Sequence, residues 1–444
     1  MFLTKPTSEL TYEDIETLTS PGEPESIMLD YKKMISGSER DKAELAKDIC
    51  AFANSQGGYL VIGVEENHGK PVHPPCGTER MIERQKVEEW IEQITNSNIA
   101  QRVLTDIKVI SIPNSDLCII VVHVPMSIRM PHMVTCQRDN RYYRRFFKRH
   151  QYESLPAEEY EVREMFEKGS RLIDEVIAYL SSQGYTDPLS STFAENTYTK
   201  RLGFIIRGKE VTQELVQAHH YTTFVAYPNR LTDELINTSR EEFLNWLDPN
   251  IRQYSPDPGG IFLPLDKRTT LEGIVLLDNR HRIGDTRTEF IERFLRINRN
   301  GYIEFGCNLV RQIEDDIAFA FVPMVGLFWQ FLGFVTDLYK LEGVHMPFKV
   351  MLNMKGTENT LICNLGEGWA DPFNAKYRPT CLDTNIQIIE ELRSADIDET
   401  NISEIIKRVA TRIDNAWGEL EPRCYNHVNH DKDRHFPARK MRWY

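Results

Sequence analysis

Two short stretches hold the residues with chemistry to offer. Glu25-Ser26-Ile27-Met28-Leu29-Asp30-Tyr31-Lys32 supplies two carboxylates and a lysine, and the run Gly57-Gly58-Tyr59-Leu60-Val61-Ile62-Gly63-Val64 releases two more carboxylates, Glu65 and Glu66. Hard carboxylate oxygens suit Mg2+ or Mn2+. Such an ion beside a lysine suits phosphate chemistry, because it offsets charge on phosphoryl oxygens and lowers the pKa of a bound water. Asp30 and Lys32 lie two apart, so on a strand they share a face. There Lys32 is placed to contact a phosphate, to orient a water, or simply to pair with Asp30. Glu25 precedes Asp30 by five residues, which plain alternation puts on the opposite face. Bringing it round requires a turn or bulge near Ser26.

The elements that must position these groups are legible around them. Leu45, Ala46, Ile49, Cys50, Phe52 and Ala53 recur at helical intervals between Arg40 and Asn54, with charged residues expected on the other face. Gly57 and Gly58 can end a helix and turn the chain sharply. Tyr59 to Val64 is an uncharged run of β-formers, which reads as a central strand buried on both faces. Gly63 permits close backbone approach just before Glu65 and Glu66, so these acids stand on a rigid support.

In order and spacing, four pieces resemble the Schlafen-type Alba-like domain of bacterial proteins and animal Schlafens: Glu25-Ser26 to Leu29-Asp30-Tyr31-Lys32, Ala51 to Val64, the Val121 to Pro125 strand, and Tyr142-Tyr143-Arg144-Arg145. The resemblance covers residues 20–170, the N-terminal third. In its nuclease members three acids sit in an E-x4-E-x-K segment and just after the G-G-Y-x-x-I-G-V strand. Carried over, it implies metal ligands at Glu25, Asp30 and Glu66, with Lys32 as the accompanying lysine and Glu65 as a competing third ligand. Asp30 stands where the family usually has Glu, and Glu66 where Asp is more usual. Each exchange moves an oxygen by about one methylene. The implied activity is that of a metal-dependent endoribonuclease using Mg2+ or Mn2+, acting on tRNA, in defence against phage. Animal Schlafens use two such lobes in one chain; one lobe here implies a homodimer or higher homo-oligomer.

A substrate surface is expected from Arg129, Arg138, Arg141, Arg144, Arg145, Lys148 and Arg149, interleaved with Tyr142, Tyr143, Phe146 and Phe147. Guanidinium groups grip phosphates, and aromatics stack on bases or pack beneath a sheet. The basic residues alternate onto both strand faces, so some must meet solvent. The whole chain is acidic, with net charge −13, which favours selective docking over generic coating of nucleic acid.

The 444 residues, 41% hydrophobic, suffice for two or three domains. The resemblance, with the mixed strand and helix pattern beyond it, implies an α+β protein, a Schlafen-like Alba-type α/β domain followed by a larger α+β domain. The expected organisation is an extension over residues 1–23, the Alba-like domain over 24–170, a helix and linker over 171–199, and the α+β domain over 200–444. Helices are expected over Pro156–Gly169 and Arg171–Ser182. Beyond the linker the pattern predicts strands over Gly260–Pro264, Gly273–Leu277, Phe348–Met354 and Thr360–Leu365, and helices over Thr288–Arg296, Asn385–Arg393 and Ile402–Trp417. Met1 to Glu25 lacks the basic head and apolar centre of a signal peptide. The eight cysteines show no C-x-x-C pair, which fits reduced thiols in a cytoplasmic protein.

Ile317 to Val335 is almost continuously apolar, and it reads as two buried pieces joined at a kink, in the core or at an oligomer interface, rather than as a membrane span. The ligand-rich tail, Cys424, His427, His430 and His435, lacks the spacing of a zinc finger. His132 and Cys136 have no evident metal partners. The polar loop Asp278–Arg282 reads as a turn. The alternative to a nuclease is a non-catalytic DNA- or RNA-binding regulator built on the same domain; nucleotide binding ranks last, there being no phosphate loop.

Overall fold

The computed structural model describes residues 7–138, 141–183, 220–231, 234–253, 266–277, 281–283, 288–290, 293–307, 309–313, 316–344, 347–363, 380–392 and 399–418. They form two compact units in an α+β protein, the first of residues up to Val176 and the second of nearly all the rest.

The N-terminal unit is built on a four-stranded sheet. Strand β1 (Leu29–Lys32) runs parallel to β2 (Gly57–Ile62), while β3 (Asp106–Ser111) and β4 (Cys118–Pro125) complete the order β1-β2-β4-β3. All six β2 residues are buried, as expected of a central strand. Alternate side chains divide two cores between them. Leu60 and Ile62 pack with Ile49 and Phe52 of helix α1 (Glu39–Ala53) and Trp90 and Ile91 of α2 (Val87–Asn98). Tyr59 and Val61 pack on the opposite face with Leu10, Ile15 and Leu18. The segment expected as an extension over residues 1–23 therefore contributes Leu10, Ile15 and Leu18 to the core.

Helix α1 begins at Ser38, whose hydroxyl accepts the Asp41 N–H at 3.2 Å, with Glu39 and Asp41 in its first turn. It is followed by Gly57 at φ +76°, where a Cβ would lie 2.6 Å from the Met126 nitrogen. No other residue type fits there without moving the backbone. A second sheet pairs β5 (Met133–Arg138), β6 (Arg141–His150) and β7 (Glu153–Pro156) with the short strand Ile99–Ala100.

The two helices expected over Pro156–Gly169 and Arg171–Ser182 are one, α3 (Glu159–Ser182). Gly169 does not break it. A Cβ at that position would lie 2.6 Å from the Met130 carbonyl, so the glycine serves close packing of the helix.

The C-terminal unit carries a seven-stranded antiparallel sheet among the described residues, in the order Asp266–Thr269, Gly273–Leu277, Arg293–Asn298, Ile303–Cys307, Tyr221–Pro228, Phe348–Lys355, Asn385–Leu392. Two expected helices are strands. Over Thr288–Arg296 the chain forms Thr288–Phe290 and the start of Arg293–Asn298; the latter buries Phe294, Leu295 and Ile297 between two partner strands, so both its faces are apolar and its helix-like spacing is accidental. Asn385–Leu392 buries Ile386 and Ile388 with period two and pairs along all of Phe348–Lys355.

The apolar run Ile317–Val335 is split as expected, here into the strand Asp316–Ala320 and the helix Phe321–Leu341, which packs Phe328 and Phe331 on Phe224. No described helix is long and apolar enough to cross a membrane. The helix expected over Ile402–Trp417 is Glu399–Ala416. Gly260–Pro264 and the 424–435 tail lie outside the described residues, as does most of the Asp278–Arg282 loop.

Candidate functional site

The turn that Glu25 requires is present. Ser26 and Leu29 exchange backbone hydrogen bonds of 3.0 and 3.3 Å, which folds Ile27 and Met28 into a tight reversal. Glu25 is thereby carried back over β1, and its Oε1 accepts the Tyr31 N–H at 3.0 Å. The second acid comes from a two-residue ribbon in which Glu66–Asn67 pairs with Lys70–Pro71. His68 and Gly69 form its turn, at φ +52° and +73°. The Glu25 N–H donates to the Gly69 carbonyl at 2.7 Å, and the Gly69 N–H donates to Glu66 Oε2 at 2.7 Å. One glycine thus tethers both acidic segments.

Glu25, Asp30, Lys32, Lys47, Asp48, Glu66, His68, Arg149 and Tyr152 line one cleft of about 890 Å³. Four of these are the acids and lysine singled out in the sequence. Glu65 instead points to Lys33, pairing at 2.9 Å, and does not line the cleft.

Asp30 and Lys32 do share a face, and they pair. Lys32 Nζ lies 2.8 Å from Asp30 Oδ2 and 3.3 Å from Asp48 Oδ2. Arg149 Nη1 lies 3.1 Å from Asp30 Oδ1, and Lys47 Nζ 3.8 Å from Asp48 Oδ1. The result is a row of alternating charge: Arg149, Asp30, Lys32, Asp48, Lys47. Burial raises the pKa of the Asp30 carboxyl and Asp48 adds to this, while Lys32 and Arg149 oppose it; the balance stays above the ordinary value. Burial alone would lower the Lys32 ammonium, yet Asp48 and Asp30 outweigh it and hold Lys32 above its ordinary range. Lys32 is a fixed cation at any working pH, suited to phosphate and unsuited to general base duty. The Glu25 carboxyl is raised by burial and by repulsion from Asp30 and Glu66, against the Tyr31 N–H and Lys32.

The basic stretch divides. Arg149, expected among surface phosphate contacts, is 2% exposed and belongs to the interior. Arg144 and Arg145 are exposed, whereas Lys148 is half-buried and pairs with Glu161 at 3.2 Å. The side chains of Arg138 and Arg141 lie outside the described residues.

The carboxylates are of the right kind for Mg2+ or Mn2+, and the mutual repulsion felt at Glu25 is what a cation would relieve. Among the described residues, however, no three His, Cys, Asp or Glu side chains stand close enough together to hold an ion as they are.

His132 is a buried structural residue. Its Nδ1 lies 3.2 Å from the Gln101 carbonyl and its N–H donates to Asn54 Oδ1 at 2.7 Å. Burial lowers the imidazole pKa below the ordinary 6.5, with Arg129 contributing and the Gln101 carbonyl opposing. A histidine depressed on folding leaves the unfolded chain holding more protons between its two pKa values, so its stability contribution is full above pH 6.5 and is lost as pH falls below it. Urea midpoints measured between pH 7 and pH 5 should fall more steeply in the native protein than in His132→Gln; equal slopes would count against this assignment.

Residues 25–158 match the family described as Schlafen, AlbA_2. The N-terminal third of this chain is a Schlafen AlbA_2 domain. A domain of that family points to a nucleic-acid-related function. No curated protein matches the chain. Among solved structures, the DIP2311 protein of Corynebacterium diphtheriae is 18% identical over 31% of this chain and 23% of its own, with a TM-score of 0.22. The N-terminal domain of an ATP-dependent DNA helicase RecG-related protein from Nitrosomonas europaea is 17% identical over 33% of this chain and 95% of its own, also with a TM-score of 0.22.

Two buried polar residues of the Schlafen AlbA_2 domain, one lining the cleft and one structural, escape the sequence reading. Asp48 was expected on the charged face of its helix, yet it is buried beside Lys32. Its signal was its position, three residues after Leu45 and four before Phe52, in step with the apolar stripe. Asn54 gives no such signal, because its partners lie 78 and 93 residues away.

Proposed function

We propose that the Schlafen AlbA_2 domain is a metal-dependent endoribonuclease, hydrolysing phosphodiester bonds of RNA in the cleft between β1 and the Glu66 ribbon. The observation that carries this reading is that Glu25, Asp30, Glu66 and Lys32 all line one cleft. Glu25, Asp30 and Glu66 would hold Mg2+ or Mn2+. When bound, the ion would offset phosphoryl charge and supply a more acidic water. Lys32 neutralises a phosphate oxygen, and exposed Arg144 and Arg145 contact the nucleic-acid backbone. tRNA is the first substrate to try and phage defence the proposed setting, with two chains supplying paired lobes.

A labelled tRNA pool incubated with Mg2+ or Mn2+ should yield discrete fragments. Glu25→Ala and Glu66→Ala should each slow cleavage by at least about 100-fold. Fragments that persist in both variants, or form equally in chelator, would overturn the proposal. The second reading, a binding regulator without catalysis, is favoured by the engagement of both Asp30 oxygens with Lys32 and Arg149. It predicts unchanged RNA or DNA binding in the same variants, with no fragments from the native protein.

A further inference from the structure

Asp48 is 2% exposed on a helix face otherwise given to Leu45, Ile49 and Phe52. A carboxylate there is costly unless it is paired, so its place beside the cleft calls for a cationic partner. That partner is Lys32. The lysine stem rises from β1, and its ammonium stops between two buried carboxylates, at 2.8 Å from Asp30 and 3.3 Å from Asp48. Each carboxylate has a second cation behind it, Arg149 for Asp30 and Lys47 for Asp48. The Lys32 side chain remains 36% exposed, so the clamp holds the ammonium without sealing it off.

We infer that Asp48 is a positioning residue: with Asp30 it fixes the Lys32 ammonium at the cleft wall, aimed at a phosphate of the bound nucleic acid. A lysine side chain otherwise loses rotamer entropy when a ligand immobilises it; the two aspartates impose that order beforehand. With Asp30 as the sole anchor, the ammonium can swing down along β1. Asp48, from a different element, holds it from the other side. This inference rests on the proposed cleft function, since it needs a phosphate to reach Lys32.

Simple electrostatics and positioning give opposite signs. Removing a negative charge beside a polyanion site should tighten binding, whereas removing the clamp should weaken it. The experiment titrates a fluorescein-labelled single-stranded oligoribonucleotide into the full chain, in chelator, so that binding is read without cleavage. Asp48→Asn and Lys32→Met are each expected to weaken binding about tenfold, and the double variant is expected to bind no worse than Lys32→Met. Asp48→Ser, smaller and also uncharged, gives the same reading should the amide not be accommodated, and urea titration checks that each variant is folded. Binding by folded Asp48→Asn that equals or exceeds the native protein overturns the inference, as does a double variant whose losses add. Lys32→Met binding RNA as well as the native protein would instead sink the cleft reading beneath it.

Discussion

Arg149→Met is expected to destabilise the N-terminal unit by about 3–5 kcal/mol, the usual cost of stranding one member of a buried ion pair. The guanidinium is almost wholly enclosed, and both its terminal nitrogens are engaged. It contacts Asp30 Oδ1 at 3.1 Å, donates to Ser154 Oγ at 3.2 Å and to the Ser26 carbonyl at 3.0 Å, and lies 4.7 Å over the Phe52 ring. One side chain thus joins the Ser26 turn, β1, α1 and the hairpin after β6. Methionine fills the volume but leaves the Ser26 carbonyl and Asp30 without this partner. Lysine at this position would keep the charge but lose the fork, and should recover only part of the loss. Hydrogen exchange localises the effect, with amides of β1 and β7 losing protection first. The further change Asp30→Leu should restore part of the stability lost in Arg149→Met, by removing a buried carboxylate left with Lys32 as its remaining cation. An Arg149→Met protein within about 1 kcal/mol of native would show the guanidinium to be dispensable.

Asn54→Ala should cost about 3 kcal/mol, because it strips partners from three backbone groups at once. The Asn54 amide donates to the His132 carbonyl at 2.8 Å and the Phe147 carbonyl at 2.9 Å, while its Oδ1 accepts the His132 N–H at 2.7 Å. A single side chain at the end of α1 therefore ties down the entry to β5 and the middle of β6. Asn54→Asp is the sharper variant. It keeps the shape but turns two donors into acceptors facing carbonyl oxygens, so it should be worse than alanine. For a unit of this size the alanine variant should melt about 6–12 °C below the native protein. A smaller fall for aspartate than for alanine would contradict the hydrogen-bond assignment.

The parts of the site that were legible in the sequence are those fixed by local pattern. Ala51 to Val64 changes from helical periodicity to an unbroken β-run across two glycines, and that switch places α1, β2 and the acids after it. The Ser26 turn followed from Glu25 and Asp30 needing one face. The rest depends on distant partners. Asp48 looks like one more helix charge until β1 brings Lys32 alongside. Arg149 sits in a strand whose two faces both alternate arginine or lysine with aromatics, so alternation alone could not say which face was buried. Ile386 and Ile388 satisfy a strand period, but the acids Glu390 and Glu391 after them complete an equally good amphipathic helix. Pairing with Phe348–Lys355 decides between the two.

The segment from Thr7 to Pro24 gives the domain two different edges. Family similarity begins at residue 25, but the hydrophobic interior begins at Leu10. A fragment cut at the similarity edge would expose Leu29, Tyr31, Tyr59, Val61, Ile119 and Val121 together, a continuous apolar sheet face in water. Such a fragment would self-associate and mimic the oligomer that this chain is proposed to form. The ancestry of the fold and the minimum soluble piece of it are set by different residues.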